Sequence, residues 1–235
     1  MDERFLRNRM LLGQAAADKL RLSHVAVFGL GGVGSFAVEG LARAGVGKLT
    51  LIDHDTVGLS NTNRQLCAVT SAMGRPKADV MAERVRDINP DIEAVPIAGR
   101  YTAEDRERFW DAYDYILDAI DLVTCKLDLI LSAKERGVPI LSALGTGNKL
   151  DPTRLTVCDI SKTINCPLAK VMRKELRYRG VTRHRVVYSP ELAIDAQQLD
   201  DPPPGRRSVP ASVCWVPGCA GLMMAGECVR ELTCQ

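Results

Sequence analysis

The sequence predicts an α/β fold of Rossmann-like form, a mostly parallel sheet flanked by helices with a small C-terminal subregion appended. Three observations carry this. The apolar run Val25–Phe28 meets Gly29, Gly31 and Gly34 in the spacing G-x-G-x-x-G, with Gly32 inside it. A helical segment follows, and a second apolar run, Leu49–Ile52, closes on Asp53, 19 residues after Gly34. Beyond this unit, short apolar runs keep alternating with longer helical patterns as far as Leu144, the order of a β/α repeat.

Each glycine has a physical reason. Gly29 permits the tight turn, Gly31 lets backbone N–H groups approach phosphate oxygens, and Gly34 brings the helix close to the sheet with its positive end facing the anion. Asp53 is then placed to accept from a ribose hydroxyl. The pattern implies a nucleotide but leaves open which one.

Taken in order, the chain opens with an amphipathic helix over Leu11–Leu22, interrupted by Gly13. The helix Ser35–Ala44 ends at Gly45, and Lys48–Ile52 is the second strand. The stretch from Thr56 to Gln65 is too polar for core and reads as a functional loop. After Gly74-Arg75-Pro76, Lys77 begins a helix through Ile88 that Asn89-Pro90 stops. Ile92–Ile97 is a strand, Ala103–Tyr113 a charged helix, and Tyr115–Asp121 a buried strand ending in acids. Ligands of open α/β sheets lie at the carboxyl ends of strands, so Asp118 and Asp121 join Asp53 there and suggest a metal–nucleotide site. A helix over Leu122–Arg136, a strand over Ile140–Leu144, a strand over Leu155–Ile160, a basic helix over Pro167–Tyr178 and a short strand over Arg185–Tyr188 follow. The Pro-rich loop from Asp200 to Arg207 is read as mobile, with Arg206 and Arg207 as a further contact; Ser212–Val216 is a strand and Gly218–Leu232 the last helix.

Composition narrows the class. With 235 residues, 46% hydrophobic and 26% charged, the chain can bury a substantial core, and a formal net charge of +2 excludes a strong global field. The charged N-terminus lacks a signal-peptide core and no apolar run is long enough to span a membrane, so a cytoplasmic protein is expected. Its eight cysteines include no C-x-x-C pair and are read as thiols in a reducing compartment, without structural zinc.

The loop Asp53-His54-Asp55-Thr56-Val57-Gly58-Leu59-Ser60-Asn61-Thr62-Asn63-Arg64-Gln65, behind the glycine turn and ahead of Lys77 and Asp121, resembles the E1-like (ThiF/MoeB) adenylating superfamily. An NAD oxidoreductase has no use for Asn61, Arg64, Lys77 and Asp121 together, whereas attack of a carboxylate on the α-phosphate of ATP builds negative charge that cations and magnesium must meet. The resemblance implies an E1 adenylation fold with ATP and Mg2+ as cofactors. It assigns Asp53 to the ribose, Arg64 and Lys77 to the phosphates, Asn61 and Gln65 to support of the pocket, and Asp121 to magnesium. Gly29, Gly31, Gly32, Gly34 and Asp55 complete the nucleotide set, and Arg64, Lys77 and Asp121 carry catalysis. It further implies a homodimer in which Arg7 or Arg9 reaches the partner's triphosphate. Plainer readings stand beside these: Arg64 and Lys77 as solvated loop charges, Asp118 as a structural acid, His54 as an exposed loop residue, and Thr146 as a turn cap where it does not line a substrate pocket.

The C-terminal third chooses a branch. It lacks the paired C-x-x-C motifs of sulfur-carrier adenylating enzymes. Instead Asp151-Pro152-Thr153-Arg154, Asp159-Ile160-Ser161-Lys162-Thr163, Pro167–Leu176 and Ser212-Val213-Cys214-Trp215-Val216-Pro217 resemble the tRNA threonylcarbamoyladenosine dehydratases. That family activates the carboxylate of N6-threonylcarbamoyladenosine at tRNA position 37 with ATP, and the adenylate cyclises internally. The organisation expected is a single 1–235 domain, with a 1–150 ATP-binding half and a 151–235 subregion facing tRNA. Between Asp151 and Val187 nine Lys and Arg face three acids, a balance compatible with a phosphate-tracking surface. A sulfur-relay or cysteine desulfurase partner is a further expectation. Alternatives are an adenylyltransferase for a ubiquitin-like sulfur carrier, a nucleotide-binding scaffold without turnover, and a covalent relay through Cys214 or Cys219 near a helix end.

Overall fold

The computed structural model of the chain describes residues 3–199 and 209–234, so the whole Pro-rich loop, with Arg206 and Arg207, lies outside the described residues. Seven strands form one sheet: β1 (His24–Phe28), β2 (Lys48–Asp53), β3 (Glu93–Ala98), β4 (Tyr115–Asp118), β5 (Ile140–Ala143), β6 (Thr156–Asp159) and β7 (Arg185–Tyr188). Their order is β3-β2-β1-β4-β5-β7-β6, parallel throughout except for the antiparallel pairing of β6 with β7. The chain steps outward from β1 to β2 and β3, then returns to place β4 on the other side of β1. The crevice between β1 and β4 is therefore the switch point where such sheets bind ligands. Phe28 lies in register with Asp118, so the glycine turn and the end of β4 emerge at one level.

Helices cover both faces. α3 (Gly34–Ala44), α4 (Lys77–Ile88) and α7 (Trp215–Thr233) cover one, sharing an apolar core with Leu20 of α2 (Gln14–Leu22), and α5 (Val123–Glu135) and α6 (Pro167–Tyr178) cover the other. All five residues of β1 are buried, which explains why its sequence is a continuous apolar run instead of an alternating one. α7 packs on α3 through small residues: a Cβ on Gly40 would stand 2.6 Å from Ala225 Cβ, and one on Gly221 2.2 Å from the Val33 carbonyl oxygen. The C-terminal helix thus lies against the N-terminal half, and β6 and β7 extend the sheet that half begins.

Four expectations need correction. The helix over Leu11–Leu22 is two helices, α1 (Leu6–Leu12) and α2, because Gly13 has φ +88° between them. Ala103–Tyr113 is not a charged helix but a connection with one 3-10 turn, Arg106–Phe109. Its Phe109 meets Tyr101, itself edge-on to Phe28, and its Tyr113 packs against His24, and this packing overrides helical propensity. The strand expected to reach Asp121 stops at Asp118. Ser212–Val216 is not a strand, because the chain passes into α7 at Trp215; Pro217 is tolerated there, since N–H groups in a first helical turn lack intrahelical partners.

His184, just ahead of β7, is buried with Nε2 2.8 Å from Ser142 Oγ, and burial, reinforced by Lys134 and Lys126, pushes its imidazole down to about 3. The unfolded chain, with an ordinary histidine near 6.5, takes up that proton first. The contribution of neutral His184 is therefore complete above pH ~6.5 and declines as pH falls toward 3, amounting to about 2 kcal/mol between pH 7 and pH 5. Urea unfolding at the two pH values is expected to show this loss in the wild type and a smaller one in His184→Gln.

Candidate active site

The turn after β1 is shaped by contacts that exclude side chains. Gly29 has φ +87°, and a Cβ there would stand 2.7 Å from the Ala119 carbonyl oxygen just beyond β4; a Cβ on Gly34 would stand 1.7 Å from the Gly29 carbonyl oxygen. Gly32 faces Pro217 of α7 and the backbone of Arg64, both 3.2–3.3 Å from a Cβ position. No side chain caps the N-terminus of α3. Ser35 N donates to the Gly31 carbonyl at 3.1 Å, so the helix begins directly on the glycine turn and its positive end lies there, the arrangement that binds phosphate. Because a Cβ at Gly29 or Gly34 would meet backbone, the turn keeps the tightness that fits a nucleotide's phosphates.

Asp53 ends β2, is 8% exposed, and holds the turn: Oδ2 accepts from Leu30 N at 2.6 Å and Oδ1 from Asp55 N at 2.8 Å. Each carboxylate oxygen keeps a second lone pair for a ribose hydroxyl. Asp55 faces Lys77, whose Nζ donates to Asp55 Oδ2 at 2.9 Å. Burial pushes the Asp55 carboxyl up, but the hydrogen bond and charge of Lys77, with His54 and Arg100, hold it below the usual carboxylate range. Lys77 is 4% exposed although it is a lysine opening a helix. It arrives there because Val57 and Arg75 pair by their backbones and Lys77 N bonds the Asp55 carbonyl. The solvated-charge reading of Lys77 is thereby overturned.

The 58–65 loop is braced from within. Gly58 N donates to Asn61 Oδ1 at 3.1 Å, and Arg64 Nη1 donates to the Ser60 carbonyl and to Asn63 Oδ1, both at 2.9 Å. Gln65 is buried, with Nε2 3.8 Å from a Cβ position on Gly31. Asn61 is therefore a loop brace, while Gln65 and the Arg64 backbone pack on the glycine turn. Asp121 is exposed on the connection after Ala119. Among the described residues, the ligand atoms of Asp53, His54 and Asp55 come within 4.8 Å of one another, a group that could hold a metal and does not include Asp121.

His54 is exposed, as the plain reading has it, and its Nε2 lies 2.9 Å from Arg100 Nη2. Asp118 is a structural acid, wholly buried against Lys126. Arg7 lies on α1, which follows Phe5; the Phe5 ring meets Gly45 at the far end of α3, roughly 16 Å of helix from the glycine turn. Sequence reasoning missed Arg100, Lys126 and the α7 contact. Arg100 follows the carboxyl end of β3, a position the strand-end rule would have flagged, and Lys126 stands between Cys125 and Leu127 near the start of α5. Trp215, within the Ser212–Pro217 motif, donates its indole Nε1 to the Leu150 carbonyl at 2.7 Å, and the residue is 51% exposed.

The sequence profile of the ThiF family matches residues 5–234. The tRNA threonylcarbamoyladenosine dehydratase of Bacillus subtilis (strain 168) is 41% identical over 242 residues, covering 99% of this chain and 95% of that protein. The crystal structure of E. coli tRNA N6-threonylcarbamoyladenosine dehydratase, TcdA, in complex with ATP superposes with a TM-score of 0.89 at 33% identity, covering 99% of this chain and 94% of that one. The sulfur carrier protein ThiS adenylyltransferase of Escherichia coli (strain K12) is 36% identical over 156 residues, 63% of this chain and 62% of that protein.

Proposed function

The chain belongs to the ThiF family, and on that premise we propose that it is an enzyme that uses ATP to dehydrate N6-threonylcarbamoyladenosine at position 37 of tRNA, yielding the cyclised nucleoside, AMP and pyrophosphate. The observation that carries this choice of substrate is similarity from end to end with a tRNA threonylcarbamoyladenosine dehydratase, through the C-terminal third as well as the nucleotide-binding half.

The crevice supports this reading. The glycine turn and the uncapped end of α3 hold phosphates, Asp53 receives the ribose, and Arg64 and Lys77 provide the positive charge. The substrate carboxylate attacks the α-phosphorus, the bond to the bridging oxygen breaks, and pyrophosphate leaves. A nucleophile of the same threonylcarbamoyl group then attacks the acyl-adenylate carbon and AMP leaves, so that the substrate has lost one water. Lys77, already neutralised in part by Asp55, strengthens its contact as charge builds on the departing oxygens. Asp121 is assigned to magnesium, which when bound neutralises pyrophosphate oxygens. Mass spectrometry of modified tRNA incubated with the protein and Mg-ATP tests the assignment: loss of one water from the nucleoside, matched by AMP, is expected. ATP–pyrophosphate exchange that requires a small protein ending in Gly-Gly and ignores tRNA would replace it with the sulfur-carrier reading.

The 151–235 subregion is proposed to face tRNA. α6 buries Ala169, Met172 and Leu176 and presents Lys170, Arg173, Lys174, Arg177 and Tyr178 along a surface groove. Not all of the basic excess is available, since Arg173 is spent on Thr163, Arg179 pairs with Glu175, and Arg185 with Glu227. Alanine at Lys170, Lys174 and Arg177 together is expected to weaken tRNA binding about tenfold or more near 0.1 M salt and to flatten its salt dependence by about two to three counterions, with ATP affinity unchanged. Filter binding across a salt series measures both. A homodimer with Arg7 or Arg9 reaching across it, a sulfur-relay or cysteine desulfurase partner, and a cytoplasmic location complete the proposal; no helix among the described residues is long and apolar enough to cross a membrane.

A further inference from the structure

A fully buried ion pair lies beneath the connection that carries Asp121. Lys126 and Asp118 are both 0% exposed, and Lys126 Nζ stands 2.8 Å from Asp118 Oδ2 and 3.3 Å from the Asp118 carbonyl oxygen. Two further donors reach the carboxylate. Ser142 Oγ donates to Oδ2 at 2.6 Å, itself 2.8 Å from His184 Nε2, and Ile120 N donates to Oδ1 at 3.1 Å.

The positions of the two residues matter as much as their contacts. Asp118 is the last residue of β4 and Lys126 lies in the first turns of α5, its N–H bonded to the Leu122 carbonyl at 2.9 Å. Between them runs the connection 119–122, tied at its start by Ala119 N to the Phe28 carbonyl at 2.8 Å. Its Ala119 carbonyl is also the atom that leaves no room for a side chain on Gly29. One ion pair therefore closes the segment that forms a wall of the glycine cradle and delivers Asp121.

A buried pair of this kind adds little net stability, because the cost of desolvating both charges offsets their attraction. What it supplies is a single geometry for groups that must meet a ligand within a fraction of an ångström. We infer that Lys126 and Asp118 are positioning residues for adenylation: they hold the 119–122 connection, before any ligand arrives, in the shape that completes the nucleotide cradle. This rests on the reading of the crevice as an ATP site.

The double variant Asp118→Asn/Lys126→Met removes both charges while keeping an acceptor for Ile120 N and an aliphatic chain of similar length. It is expected to melt within a few degrees of the wild type and to bind tRNA unchanged, while its dissociation constant for ATP, measured by calorimetry without tRNA, rises about tenfold or more. A folded double variant with wild-type ATP affinity and AMP release would overturn the inference. Hydrogen exchange on the wild-type protein tests it independently of any variant. The amides of Ala119 and Ile120 are expected to be protected without ATP; rapid exchange that slows only when ATP is added would show that the ligand, not the ion pair, orders the segment. Failure of the tRNA assignment looks different: the wild type would bind ATP with its usual affinity and leave the modified tRNA intact.

Discussion

Lys77→Ala is expected to lower AMP release from ATP and substrate tRNA by about a thousandfold, and Arg64→Ala by about a hundredfold or more, with both variants keeping a wild-type circular dichroism spectrum. The order follows from burial. Lys77 is 4% exposed and fixed by Asp55, so its charge acts where little water competes, whereas Arg64 is half-buried and held only by its own loop through Ser60 and Asn63. Asp55, Lys77's partner, stays solvated when Lys77 is removed, so no charge is left buried and the fold is expected to be kept. Quench-flow measurement of AMP and pyrophosphate separates the adenylation step from cyclisation. Wild-type release in both variants would show that the crevice does not cleave ATP in the way derived from it.

Gly34→Ala is the second change of large effect, with ATP binding lost and stability lowered by roughly 3 kcal/mol or more. The added Cβ would stand 1.7 Å from the Gly29 carbonyl oxygen, and because that atom is backbone the clash cannot be relieved by a rotamer change. α3 would have to withdraw from the turn, taking its N-terminal N–H groups away from the phosphates. Gly226→Ala is the matched control. It lies within α7 with nothing within 4 Å of a Cβ position, so alanine there gains up to about 1 kcal/mol of helix propensity and leaves the site untouched. Thermal melts with calorimetric titration of ATP distinguish the two; an intact ATP site in Gly34→Ala would mean that the turn is not the phosphate cradle.

The site was largely legible from sequence because its parts are local. A strand, a glycine turn and a helix are written in consecutive residues, and Asp53 follows at the distance that a β/α/β unit sets. Lys77 was legible by resemblance, yet its burial was not, since a lysine opening a helix is ordinarily solvated and only the pairing of Val57 with Arg75 draws it inward. The same holds for Ala103–Tyr113, where charged residues outline a helix but the rings of Phe109 and Tyr113 find better partners in Tyr101 and His24. Segments fail to follow their local pattern where a distant contact outweighs propensities worth tenths of a kcal/mol.

By itself, then, the sequence determined the α/β class, the glycine turn between the first strand and helix, and the acid at the end of the second strand, because each depends on spacing along one stretch of chain. Only the tertiary structure decided that α7 returns across the sheet to lie on the glycine turn, that Arg100 stands beside His54, and that Lys126 and Asp118 close the wall under Asp121. Those contacts join residues far apart in sequence or on separate elements. Their energies come from burial and close packing, which no periodicity in the chain records.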